Sequence, residues 1–226
     1  VLVDIDSHTL NIDPDKISDY IDREYRREDG HWISKTRRNR LKGMVVVHIA
    51  GQAAEMDQIN RIAEKYGLFV IEDAAHAIGA RYKGRWIGDS INPVCFSFYS
   101  NKNITTGEGG MIVSRENINE SLYRKLSLHG ISRNNIERYK QGLPHYDIEF
   151  AGFKNNLTDI QAALGVVQMR KLRYITEQRN RIAEWYDEDL SGITEIDLYR
   201  IKPYNDSARH LYPIFLKEDL SEYRDE

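Results

Sequence analysis

The sequence predicts an α/β fold built on a mixed sheet and followed by part of a smaller α+β unit, and three observations carry that reading. Met44 to Ala50 and Leu68 to Asp73 are apolar runs joined by an amphipathic stretch over 57–66, the strand, helix, strand order of a right-handed parallel crossover. Pro93 to Tyr99 and Gly110 to Ser114 are two further strands separated only by the polar turn SNKNITTGEGG, which is too short for anything but an antiparallel return. A helical pattern then runs from Thr158 to Leu190 into a short region ending in HLYPIFL.

Taken in order, VLVDID reads as a short strand, and PDKISDYIDREYRRE as an amphipathic helix carried by Ile17, Tyr20, Ile21 and Tyr25, with Pro14 in its first turn. HWISKTRRNRLKG, with five basic residues between Lys35 and Lys42, reads as a solvated loop rather than a nucleic-acid arm. The all-apolar Met44 to Ala50 implies a strand buried on both faces. Gly67 closes the helix over 57–66. Glu116 to Leu128 reads as a helix. Gly130 to Lys154 has no periodicity and reads as a long surface loop, a kind of segment that in compact domains tends to carry function. Thr158 or Asn156 supplies a cap for the long helix, and Ile193 to Leu216 opens the α+β unit.

Composition limits the function. Lys+Arg at 32 against Asp+Glu at 35, a net charge of -3, leaves no basic excess for a nucleic-acid or membrane-surface partner. No apolar run is long enough to span a bilayer. The single cysteine, Cys95, rules out an internal disulfide and suits a reducing, cytoplasmic setting. The histidines show no paired ligand spacing, so no metal site is expected. The chain opens on Val1 in an apolar run and closes on KEDLSEYRDE without a stop signal, which reads as a piece of a longer polypeptide.

Two residues stand out. Asp73 ends the strand LFVIED, where ligands of open α/β sheets bind; a turn cap is the plainer alternative. Its neighbour Glu72 should face the other way and be structural. Lys102 lies just past the next parallel strand in a turn rich in Gly, Ser and Thr. A partly desolvated amine there is suited to a Schiff base, although any lysine taken singly is most simply a surface residue. The pairing changes the weight, because a carboxylate and a lysine at one edge of a sheet can hold the two ends of a pyridoxal ring. Gly107, Gly109 and Gly110 read mainly as turn chemistry, since TGEGG lacks both phosphate-loop fingerprints. Ser97 is either a strand-face hydroxyl or a phosphate donor. His76, in EDAAHAIGA, is either a satisfied core histidine or a residue facing a flat ligand among small neighbours. No G-x-S-x-G elbow supports a serine hydrolase.

VVHIAGQAAEMDQI, GLFVIEDAAHAIGARYKG, FSFYSNKNITTGEGGMIV, LHGI and GFKNNLTDIQAALG, in this order, resemble the DegT/DnrJ/StrS family of sugar aminotransferases. The similarity runs roughly from Val1 to Leu216, and EDAAHA followed by SFYSNKNITTGEGG is its most specific block. VLVDIDSHTLNID looks like the family's strand after its cofactor-phosphate helix. The resemblance implies the three-layer α/β/α fold type I large domain over 1–172, N-terminally truncated, and a partial small domain over 173–226, entered through the helix over about 158–190.

It implies pyridoxal 5'-phosphate as cofactor, with Lys102 forming the internal aldimine, Asp73 pairing with the pyridine nitrogen, His76 against the ring or its phenolic oxygen, and Ser97 on the phosphate. Asn156 matches an asparagine that reaches the phosphate in the neighbouring subunit, which implies a homodimer. Tyr99 stands where many relatives have histidine, so no role carries over to it. The implied reaction is a two-stage transfer from an amino acid, L-glutamate, to a nucleotide-linked ketosugar; the AGQ and GFKNNLTDIQAAL patterns look most like members that aminate a UDP-linked 4-ketosugar. Alternatives are an inactive sugar-binding or regulatory paralogue and a dehydratase, although dehydratase relatives carry histidine where this chain has Lys102. An unrelated nucleotide-binding domain would need the missing phosphate fingerprint. The expected incomplete frame implies that the piece alone binds cofactor poorly and turns over little.

Overall fold

The computed structural model describes residues 1–115, 117–132 and 147–217. The opening segment does not form the expected strand. Asp6 draws the N–H groups of His8 and Thr9 and the Thr9 hydroxyl onto one carboxylate oxygen, turning the chain after a single bridge between Ile5 and Ile12. Helix α1 (Pro14–Glu24) starts behind Asp13, whose side chain accepts from the Asp15 N–H, and buries Ile17 and Ile21.

The helix is shorter than its pattern. Tyr25–Glu28 is strand β1, paired with β2 (His31–Ser34) so that Glu28 faces His31 across Asp29–Gly30. Both turn residues have positive φ, 47° and 79°, the geometry that an Asp-Gly pair favours in a two-residue hairpin. β3 (Arg40–Leu41) joins this sheet, and the basic stretch forms the exposed turn over 35–39 between β2 and β3, with only Arg40 of its basic residues in a strand. Lys35 Nζ donates to the Asp22 and Arg23 carbonyls at 3.1 and 2.6 Å, closing the negative end of α1.

The central sheet has the order β4-β5-β8-β9, from β4 (Gly43–Val47), β5 (Phe69–Asp73), β8 (Val94–Ser97) and β9 (Gly110–Val113). β4, β5 and β8 run parallel and β9 returns antiparallel, as the sequence predicts. The crossover is α2 (Met56–Tyr66), closed by Gly67 at φ 64°. α1 and α2 cover one face, where Ile17, Ile21, Ile59 and Ala63 pack on Val46 and Val70. The other face carries Val47, Asp73, Cys95 and Ile112 in register. β4 is therefore not buried on both sides: Val46 is fully buried, whereas Val45 on the second face is 59% exposed, with Phe69 and Ile112 also exposed there.

Between β5 and β8, β6 (Arg81–Tyr82) and β7 (Arg85–Trp86) form a hairpin that β11 (Asn205–Asp206) extends. Helix α3 (Asn117–Ser127) follows β9. Of the expected loop over 130–154, residues 133–146 lie outside the described residues, and its ends are joined by bridges Ile131–Ile148 and Leu128–Lys154. Helix α4 (Asp159–Leu190) begins with a capping box in which Thr158 and Gln161 exchange hydrogen bonds. β10 (Ile196–Leu198) pairs with β12 (Ile214–Leu216). Among the described residues no helix is long and apolar enough to cross a membrane.

Candidate active site at the carboxyl edge of the sheet

Asp73 ends β5, and parallel pairing sets it beside Val47 on one side and Cys95 on the other. Strand alternation separates it from Glu72. That residue, 1% exposed, turns into the helix-covered face, where it meets His48 Nε2 at 3.0 Å, the Asn92 amide at 2.9 Å and the Ser90 hydroxyl. Asp73 is half-buried; Oδ1 accepts from the Ala75 N–H at 3.0 Å, and Oδ2 has no hydrogen-bond partner among the described residues. The backbone is pinned as well: the His48 N–H donates to the Asp73 carbonyl at 3.0 Å, and the Ala74 N–H to the Cys95 carbonyl at 2.8 Å. Burial and the charge of Asp73 together push the Cys95 thiol above its usual range.

Lys102 projects from the turn after β8. Its N–H donates to the Tyr99 carbonyl at 3.0 Å, and the turn is closed behind it by the Thr106 N–H and the Thr105 hydroxyl, both on the Phe98 carbonyl at 2.9 and 3.1 Å. Gly107, at φ 78°, makes the left-handed step that returns the chain to β9. Gly109 is needed for space: a Cβ there would lie 2.3 Å from Thr106 Oγ1. Gln161 Nε2, on the first turn of α4, donates to the Glu108 carbonyl at 2.9 Å and seats the turn on that helix.

His76 lies on the loop just after Asp73. Burial is the main force holding its imidazole below the usual histidine range; the Lys102 charge adds to that and the Asp73 charge opposes it, so both of those groups lie within electrostatic reach of His76. Its Nδ1 is buried without a hydrogen-bond partner among the described residues. Ser97, on the same sheet face as Asp73 and Cys95, accepts from the Tyr99 N–H at 3.3 Å. The structure thus brings Asp73, His76, Ser97 and Lys102 to one edge. Asn156 is not among them: it is exposed before α4 and accepts from Lys154 Nζ.

Sequence reasoning did not single out Asn103 or His210. The ring of His210 lies 4.4 Å from that of His76, centroid to centroid, at 37°. Asn103 meets His210 Nδ1 at 3.0 Å and donates to the Ala208 carbonyl at 2.6 Å. Only the placement of Asn103 beside Lys102 hinted at it, and no spacing links either residue to His210.

An open carboxylate, an amine and an unpartnered imidazole around one edge fit the polar groups of pyridoxal phosphate. The model of the DegT/DnrJ/EryC1/StrS aminotransferase family matches residues 1–226. The chain is 42% identical over 221 residues to protein MJ1066 of Methanocaldococcus jannaschii, an alignment covering 97% of this chain and 53% of that one. It is 38% identical to the spore coat polysaccharide biosynthesis protein SpsC of Bacillus subtilis, over 96% of this chain and 51% of that one. Among solved structures, DesV of S. venezuelae, in complex with a ketimine intermediate, superposes with a TM-score of 0.81 at 27% identity, over 100% of this chain and 54% of that one. The PMP-form of Spr1654 of Streptococcus pneumoniae gives a TM-score of 0.79 at 28% identity, over 96% of this chain and 56% of that one. The chain spans about half the length of the relatives it matches.

Proposed function

The chain belongs to the DegT/DnrJ/EryC1/StrS aminotransferase family, and from that premise we propose that the full-length protein is a pyridoxal-phosphate-dependent aminotransferase. It takes its amino group from an amino acid, L-glutamate, and delivers it to a nucleotide-linked ketosugar, a UDP-linked 4-ketosugar. The observation that carries this reading is that Asp73, at the carboxyl end of a parallel strand, and Lys102, on the turn after the neighbouring strand, both lie within electrostatic reach of His76. The likeness to SpsC, a spore coat polysaccharide biosynthesis protein, supports the sugar class, and the likeness to the PMP-form of Spr1654 supports a two-stage exchange.

Pyridoxal phosphate, when bound, supplies an electron sink for the carbon that loses its proton. Asp73, whose Oδ2 has no hydrogen-bond partner among the described residues, would hold a proton on the pyridine nitrogen, while its Oδ1 bond to Ala75 fixes the direction in which the carboxylate points. Opposite charges about 4 Å apart are worth about 4 kcal/mol at an effective dielectric near 20, enough to keep that nitrogen charged. Lys102 would be the residue that holds the cofactor covalently, and its Nζ, when free as an amine, would take the proton from one carbon and return it to the other. His76, held neutral, orients the ring edge without adding charge, and Ser97 donates to the phosphate. Asn156, exposed on its own subunit, serves the site of a second subunit in a homodimer, and the reaction takes place in the cytoplasm.

The test uses the full-length protein with added pyridoxal phosphate. A visible absorbance band should form and then bleach with L-glutamate, and a ketosugar panel with product analysis should show which acceptor restores it. Lys102→Ala should lose the band and at least about a thousandfold in rate. A band retained in that variant would refute the assignment.

A further inference from the structure

Asn103 is held so that its two ends can be told apart. A backbone carbonyl only accepts, so the contact with the Ala208 carbonyl at 2.6 Å is made by Nδ2. Oδ1 therefore faces His210, and at 3.0 Å it accepts a proton from His210 Nδ1. The tautomer of His210 follows, with hydrogen on Nδ1 and a bare lone pair on Nε2. The backbone around this ring is fixed as well: the His210 N–H donates to the Ala50 carbonyl at 3.0 Å, and Arg179 Nη1 donates to the carbonyls of Arg209 and His210 at 3.1 and 3.4 Å. His76, by contrast, sits on a loop, and its buried Nδ1 has no hydrogen-bond partner among the described residues. One ring is hydrogen-bonded on a pinned backbone; the other has no ring hydrogen bond among the described residues.

We infer that His210, locked by Asn103, is a positioning residue of the site: its flat ring braces His76 in the orientation from which His76 meets the cofactor and keeps water off that imidazole. This rests on the reading given under Proposed function. Asn103 follows Lys102 directly in the chain, so one short turn supplies both the amine and the anchor of the brace. The brace works because it is uncharged. Burial foremost, then the charges of His76, Lys102 and Arg179, push His210 down to about 4, so it stays neutral beside Lys102 at physiological pH. The titratable and charged groups facing the pair are Asp73 from the end of β5, Lys102 from the turn after β8, and Arg179 from α4.

The experiment is carried out on the full-length protein carrying ring-labelled histidine. Without cofactor, NMR follows the titration of His76 in wild type, His210→Ala and His210→Phe. The expected result is that His76 titrates below the ordinary histidine value in wild type and His210→Phe, and rises toward that value in His210→Ala, where water reaches it. With cofactor bound, the visible band of His210→Ala should gain a transition in the same pH range that the wild type lacks. Unchanged His76 titration in folded His210→Ala would overturn the brace. A changed titration with an unchanged cofactor band would overturn the positioning role. Should His210→Ala not fold, Asn103→Ala, which frees the ring without deleting it, is read by the same two criteria. A wild-type protein that takes up no pyridoxal phosphate would overturn both the proposed function and the positioning role, and the titration without cofactor would still decide the brace.

Discussion

His48 Nε2 and Glu72 Oε2 meet at 3.0 Å with both side chains buried. His48 Nδ1 accepts the Ala54 N–H at 3.1 Å, so the imidazole is neutral and donates through Nε2. Burial pushes the Glu72 carboxyl up, but the bonds from His48, Ser90 and Asn92 outweigh it and leave Glu72 below its ordinary 4.5. Glu72→Ala would strand these donors and open a void, costing about 3–5 kcal/mol, visible as a lower urea midpoint.

The same pair sets an acid limit. Because the folded value of Glu72 is depressed, its contribution to stability is present above the unfolded value of about 4.5 and is lost as pH falls through the folded value. Urea midpoints measured from pH 6 to pH 3 should fall more steeply in wild type than in Glu72→Gln. Parallel curves would contradict this.

Asp73→Asn tests charge without shape, because the amide oxygen can still accept from Ala75. A loss of about 4 kcal/mol of ring-nitrogen stabilisation corresponds to roughly a thousandfold in kcat. Thermal stability should barely change, and steady-state kinetics beside a melting curve check both halves.

Gly51→Ala should act on the site from a distance. Gly51 has φ 97°, and a Cβ there would lie 2.8 Å from the Arg209 nitrogen and 3.1 Å from that of His210. Backbone strain and the push on the 208–210 segment together should cost about 3 kcal/mol. Denaturant unfolding measures the loss, and weaker pyridoxal-phosphate retention should accompany it.

Thr158→Ala removes one half of the capping box of α4 and should cost about 1 kcal/mol. Hydrogen exchange should quicken over the first turn of α4 and, through the Gln161–Glu108 contact, in the turn carrying Lys102.

The parts of the molecule legible in the sequence are those with strong local periodicity. β4, α2, β5, β8 and β9 were marked by apolar runs, by the Gly67 stop and by a turn too short for a crossover, and Asp73 and Lys102 were visible because both flank strand ends. The hairpin at 25–34 was not, because Tyr20, Ile21 and Tyr25 continue a helical spacing into residues that tolerate a helix, and the Asp29–Gly30 turn overrides it. VLVDID has strand composition, but the Asp6 carboxylate turns it. The pairing of Asn103 with His210 depends on how loops far apart in the chain close, and no local pattern encodes that.

Tyr199 receives the Gln52 amide at 2.9 Å and donates to the Thr9 carbonyl at 2.9 Å, joining three segments that span nearly the whole chain. On a ribosome, the strands bearing Asp73 and Lys102 emerge and can pair long before Tyr199 and His210 have been made. Contacts of such separation also close slowly. This wall of the site therefore assembles after the strands that carry Asp73 and Lys102, and a nascent chain stopped short of residue 210 would display the lysine and the carboxylate in an open cleft.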